Sequence, residues 1–214
     1  MIRNKKLTIM VSSTVYGNEE LLERIYTLLT EFGYEVWMSH KGTMPVLSHR
    51  SAYENCITGV EKCDLFLGFI TPRYGSKIND TGISITHLEL KTAISLNKAR
   101  WLLGHAHVVI AKSLLDDLGY EGEIGRENLS LEKNHVLDDL RVINMYEEAI
   151  LSQKPSEDRQ GDWVQKFSSD DDASLFAMAQ FSRYQEVESF VKENLQNSTI
   201  ISTLVRKRDQ YEPR

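Results

Sequence analysis

The sequence predicts a doubly wound α/β domain, a mostly parallel five-stranded sheet with helices on both faces. Three observations carry this. Short β-branched or continuously apolar runs alternate with longer stretches of helical periodicity. Over the first half of the chain the alternation reads β-α-β-α-β-α-β, which demands crossover connections and hence parallel strands. The composition, 41% hydrophobic and 26% charged over 214 residues, suits one domain with a real core.

The elements follow in order. Lys6 to Ser13 (KLTIMVSS) reads as a buried first strand. Asn18 is positioned to cap a helix from Glu19, with Leu21, Leu22, Ile25, Leu28, Leu29 and Phe32 on its apolar side and Gly33 ending it. Glu35 to His40 is the second strand, followed by a loop with Gly42 and Pro45. Ser51 and Glu54 form a capping-box pair for a helix whose apolar side holds Tyr53, Cys56, Ile57, Val60 and Cys63. Leu65 to Ile70 (LFLGFI) is the most hydrophobic run and the expected central strand. A long loop, Thr71 to Ile83, leads to a helix at Thr86 to Asn97, and Trp101 to Ile110 contains a fourth strand.

Beyond Ile110 the pattern continues with a short helix at Ser113 to Leu118 and a loop at Glu121 to Ser130. A longer helix is expected over Leu131 to Leu151, with Val136, Leu137, Leu140, Ile143 and Tyr146 inward. Trp163 to Phe167 supplies a fifth strand. A final helix spans Ala173 to Leu195, its core side Leu175, Phe176, Ala179, Tyr184, Val187, Phe190 and Val191. Residues 1–110 thus hold the core with its motif loops, 111–196 complete the same domain, and 197–214 form a tail.

Several classes are disfavoured. A net charge of −6 gives no bulk attraction to nucleic acid or acidic lipid. No apolar run approaches the roughly 20 residues of a membrane-spanning helix. The basic start lacks a cleavage site, and Cys56 and Cys63 read as buried thiols of a reducing compartment, so a cytoplasmic location is expected. GxGxxG, P-loop and Gly-x-Ser-x-Gly patterns are missing, against a dehydrogenase, an ATPase or an α/β hydrolase.

In a flavodoxin-like sheet of order 2-1-3-4-5, the crevice opens where strands one and three diverge. The loops leaving those strands read Ser12-Ser13-Thr14-Val15-Tyr16-Gly17-Asn18 and Thr71-Pro72-Arg73-Tyr74-Gly75. The first offers hydroxyls and backbone donors to phosphate or ribose oxygens; the second offers a guanidinium, a ring and a permissive glycine. The bland alternative is a turn with its cap and a surface charge. A third element, Gly82-Ile83-Ser84-Ile85-Thr86-His87-Leu88-Glu89, has two readings. Thr86-x-x-Glu89 is a capping-box pattern. Alternatively Glu89 faces the crevice from the first helical turn, kept ionised by the helix dipole, as a nucleophile or cation stabiliser rather than a general acid.

Together, Val11-Ser12-Ser13-Thr14, Arg73-Tyr74-Gly75 and Gly82 to Glu89 resemble a family of TIR-like domains of unknown function. The likeness covers about Lys6 to Ile110. The family is similar to TIR domains and nucleoside deoxyribosyltransferases. Those groups share the flavodoxin-like fold, and a pocket glutamate attacks or stabilises the ribose in their active members. The resemblance implies Glu89 as the catalytic carboxylate. It implies Ser12, Ser13, Thr14, Tyr16, Arg73, Tyr74 and Gly75 as substrate-binding residues, with Ser84 and Thr86 shaping the helix entrance. It further implies cleavage or transfer at an N-glycosidic bond, NAD as the favoured substrate, and no required cofactor. Some bacterial relatives act in antiphage defence, and any protein partner would be a separate effector chain or another copy in a homo-oligomer. Two rivals stand beside this: a non-catalytic module that recruits partners or senses a nucleotide, and a deoxyribosyltransferase-like enzyme.

Weaker signals weigh less. His105 and His107 share a side of the expected fourth strand, but no third zinc ligand has matching spacing. Asp170 to Asp172 read as a helix cap rather than a metal cluster. Trp37 and His40 lie where a base could stack, with Trp37 better suited to the core.

Overall fold

The computed structural model describes residues 6–78, 82–130 and 136–184. Five strands form one all-parallel sheet of order β2-β1-β3-β4-β5: β1 (Thr8–Ser12), β2 (Glu35–Trp37), β3 (Leu65–Ile70), β4 (Ala99–His105) and β5 (Val164–Phe167). This is the doubly wound, flavodoxin-like arrangement that the sequence predicts. Every residue of β1 and β3 is buried, because both strands are covered on two faces.

Strand alternation divides the core. Met10, Phe66, Ile70 and Leu102 point to one side, where they meet α2 (Ala52–Lys62), α3 (Ile85–Ser95), α4 (Ala106–Asp117) and α6 (Arg141–Ala149). Ile9, Val11, Leu65, Leu67, Phe69 and Leu103 point to the other, against α1 (Glu19–Glu31) and α7 (Asp170–Phe181). Burying a side chain such as Phe66, at 0% exposure, contributes about 2–3 kcal/mol. A short α5 (Gly122–Arg126) is stapled to α6 by Arg126, whose guanidinium donates to both carboxylate oxygens of Glu147.

Several sequence expectations are corrected. Strand β2 stops at Trp37, since a turn follows in which the Gly42 N–H bonds Ser39 O. Within the segment Trp101 to Ile110, strand β4 ends at His105, and it begins two residues earlier, at Ala99. The His105 ring accepts the His107 N–H at 3.1 Å and so opens α4, which absorbs the short helix expected at 113–118. The apolar run at 108–110 is a helix turn, an ambiguity that short apolar runs always carry. The expected loop at 121–130 contains α5, and the expected helix at 131–151 is confined to 141–149 among the described residues. Tyr53 and Val136, expected inward, are 40% and 48% exposed. Asn18 does not cap α1 with its side chain; its amide donates back to Thr14 O and Tyr16 O.

At the end of the chain, Ser169 and Asp172 make a capping box for α7, in line with the expected role of the acidic triplet. The inward residues of α7 are Ala173, Ala177 and Phe181, and Leu175 is 66% exposed. The expected continuation of this helix to Leu195, with Val187, Phe190 and Val191, and the tail 197–214 lie outside the described residues. Among the described residues no helix is long and apolar enough to cross a membrane, and no group of three or more His, Cys, Asp and Glu residues is placed to hold a metal.

Candidate functional site

The parallel order places a topological switch between β1 and β3, and a cleft of about 760 Å³ opens there at the carboxyl ends of the strands. Strand β1 contributes its last residue, Ser12, and the loop after it contributes Ser13, Thr14 and Tyr16. The loop after β3 contributes Arg73, Gly75 and Ser76; α3 adds Ile85, Thr86 and Glu89. Ser39 and His40 come from the turn after β2, Ala52 and Cys56 from α2, and Asp138 from the turn before α6.

The two motif loops are joined to each other. Thr14 and Thr71 share a hydroxyl–hydroxyl bond of 2.6 Å. Gly75 has φ +85°, and a Cβ there would lie 2.6 Å from the Thr14 methyl. Only glycine meets both conditions. Arg73 extends over the Tyr16 ring, 6.0 Å from its centroid, at the mouth of the cleft.

Glu89 sits on the floor, 4% exposed. Its Oε2 accepts the Ser12 hydroxyl at 2.5 Å, and the Cys56 thiol faces it from α2. Burial pushes its carboxyl up to about 7, and these two neighbours oppose that rise without cancelling it. Burial likewise pushes the Cys56 thiol up to about 12, so it stays a neutral group. The sequence expects the helix dipole to favour the charged form of Glu89; burial acts the other way and raises its carboxyl. Glu89 can hold or release a proton near neutral pH.

The capping-box alternative is also overturned. Ser84, two residues upstream of Thr86, is the N-cap, and its hydroxyl accepts the His87 N–H at 3.1 Å. The helix therefore starts at Ile85, which moves Glu89 past the first turn and onto the side facing β1.

Eight of the ten sequence-derived residues line one cleft. Tyr74 and Ser84 do not; they are fully buried supports. The Tyr74 hydroxyl bonds His87 Nδ1 at 2.8 Å, and Arg141 stacks over the Tyr74 ring at 4.8 Å. His87 Nε2 lies 3.3 Å from a Glu148 oxygen, which completes the chain of contacts behind the site. Cys56 and Asp138 are lining residues that sequence reasoning missed. Cys56 reads as one more member of the apolar side of α2, and that pattern points to core rather than to a cleft. Asp138 had no signal, because a carboxylate in a loop carries no periodicity. Trp37 is core, 7% exposed, whereas His40 lines the cleft.

Among the curated proteins compared, none matches this chain. A match to a family spans residues 8–121, from β1 through α4, and so includes both motif loops and Glu89 but not Asp138, β5 or α7. That region is more than half of the chain, which therefore belongs to the family described as a domain of unknown function (DUF4062).

Proposed function

We propose that the cleft takes a nucleotide and that the protein cleaves or transfers at an N-glycosidic bond, with NAD the favoured substrate. The observation that carries this is Glu89: a carboxyl on the cleft floor, hydrogen-bonded to Ser12 and shifted to about 7. Around it stand the hydroxyls of Ser13, Thr14 and Thr86, and Arg73 is the only Arg or Lys among the described lining residues. The motif likeness to TIR-like domains, stated above from the sequence, supports the same reading.

The chemistry follows from the charge of the substrate. When the bond between ribose C1′ and the nicotinamide nitrogen breaks, the pyridinium takes both bonding electrons and leaves neutral, so no acid need protonate it. Positive charge develops on the ribose, and ionised Glu89 stabilises it or captures it as an ester. A water or another hydroxyl then adds at C1′ and loses a proton, which Glu89 can accept because its affinity for protons is near neutral. Arg73 would hold diphosphate oxygens at the mouth.

A second reading, a non-catalytic module that assembles through a surface, is favoured by one observation. Ile110, Leu114 and Leu118 recur every four residues along α4 and its C-cap and are 62%, 57% and 62% exposed.

The deciding experiment is nicotinamide release by the purified protein at low and high concentration, beside Glu89→Gln. Release by wild type and not by the variant supports the enzyme. No release by either, in any assembly state, removes NAD cleavage and leaves the assembly reading.

A further inference from the structure

Asp138 enters the cleft from the turn before α6, outside the region matched to the family. It grips the loop after β3 on both sides of Arg73. Its backbone N–H donates to Pro72 O at 3.1 Å, and its Oδ1 accepts the Tyr74 N–H at 2.8 Å. Flanking contacts fix it in place: Leu137 is 3% exposed in the core, and Asp139 is held by Lys77 at 2.8 Å and Arg141 at 2.7 Å.

This arrangement separates two neighbouring carboxylates. Asp139 has its charge answered by two cations and does not line the cleft. Asp138 lines it, makes no ion pair with any described residue, and commits one oxygen to a backbone N–H. Its other oxygen accepts no hydrogen bond from the described residues. Arg73, although adjacent to this backbone, carries its guanidinium toward the Tyr16 ring. Among the described residues, the cleft therefore has one wall with a cation at the mouth and one with a carboxylate that no cation pairs.

We propose that Asp138 is a ligand-selecting residue. Its carboxylate accepts hydrogen bonds from uncharged donors of the bound molecule, such as the hydroxyls of a sugar, and repels an additional phosphate at that wall. This rests on the nucleotide reading above and sharpens it: the substrate class becomes nucleotides whose sugar hydroxyls are unphosphorylated. A carboxylate pairs with a diol as acceptor for two donors, whereas a phosphate brought beside it meets like charge in a partly desolvated site.

The test is titration calorimetry with NAD and its 2′-phosphorylated counterpart, NADP. The full chain carries Glu89→Gln so that neither is consumed, and is compared with and without Asp138→Asn. Asparagine keeps an acceptor for the Tyr74 N–H and removes the charge. The background protein should bind NAD about tenfold or more tightly than NADP. Adding Asp138→Asn should bring NADP up toward NAD while NAD binding holds or weakens. Equal affinities before the change, or a change that moves both equally, overturns the selection and leaves Asp138 as a loop anchor. If neither this protein nor wild type binds either dinucleotide, the nucleotide reading itself falls and takes the selection with it. Should Asp138→Asn fail to fold, Asp138→Ser supplies a neutral acceptor and is read the same way.

Discussion

Helices α2 and α3 each carry a Ser/Thr-x-x-Glu run at their N-terminal end, and the two glutamates end in opposite states. At α2 the pattern does what it suggests. Ser51 accepts the Glu54 N–H, and Glu54 accepts both the backbone N–H and the hydroxyl of Ser51 at 2.7 Å. Glu54 is solvent-exposed, and these bonds hold its carboxyl below the usual range. At α3 the same spacing, Thr86 to Glu89, is not a cap. Ser84 reaches the free N–H groups first, the register moves, and Glu89 turns into the protein under β1. There burial pushes its carboxyl to about 7. A local motif states which bonds a segment can make. Which it makes depends on a competing hydroxyl two residues away and on what the rest of the fold lays over the helix.

The largest test of this contrast is chemical. Glu89→Gln should lower nicotinamide release about a hundredfold or more, the usual scale for losing a positioned acid–base group. Glu54→Gln should leave it within about twofold, as surface changes do. Equal losses would break the contrast.

The next test is pH. Below about 4.5, the ordinary value, Glu89 is protonated in both folded and unfolded chains. Between there and about 7 the unfolded chain loses the proton while the folded one keeps it, so stability falls as pH rises. Urea unfolding should show wild type losing about 3 kcal/mol relative to Glu89→Gln across that interval, an order-of-magnitude figure. Glu54 carries the opposite sign: its contribution is present above its unfolded value and is lost as pH falls through its lowered folded one. A wild-type curve that runs parallel to that of Glu89→Gln would mean Glu89 is not desolvated.

Smaller effects separate the caps. Ser84→Ala should cost about 1–2 kcal/mol, because a buried His87 N–H loses its partner. Ser51→Ala, at an exposed end, should cost about 1 kcal/mol or less. Both are read from denaturant midpoints, and a larger loss at Ser51 would reverse the ranking. Ser12→Ala removes a donor that favours the ionised form, so the Glu89 titration should move further up. Infrared detection of the protonated carboxyl at fixed pH would register it, and no rise would show that the Ser12 bond is not to the carboxylate.

The strand order was legible because parallel crossovers leave few choices once LFLGFI is recognised as the central strand. The loops of the cleft were legible for the same reason: the topology alone says which strand ends diverge. The helix at Ala106 was not, because three apolar residues in a row fit either period and the cap is an unusual one, His105. The state of Glu89 was not legible either. The helix terminus is visible in the sequence, but Cys56 and Ser12, which close around the carboxyl, lie 33 and 77 positions away. Asp138 was hidden by distance too, 64 positions from the N–H it accepts.

The contact between Gly75 and the Thr14 methyl has a consequence for inheritance. The two positions are 61 apart in the chain and occupy one volume in space. Position 75 cannot gain a side chain while that methyl is present. A lineage that loses the glycine must first give up the methyl opposite it, and even then must accept a backbone angle that side chains resist. Across descendants of this chain, position 14 should therefore be free to shrink while 75 stays glycine, and a side chain at 75 should be found only where position 14 has become smaller.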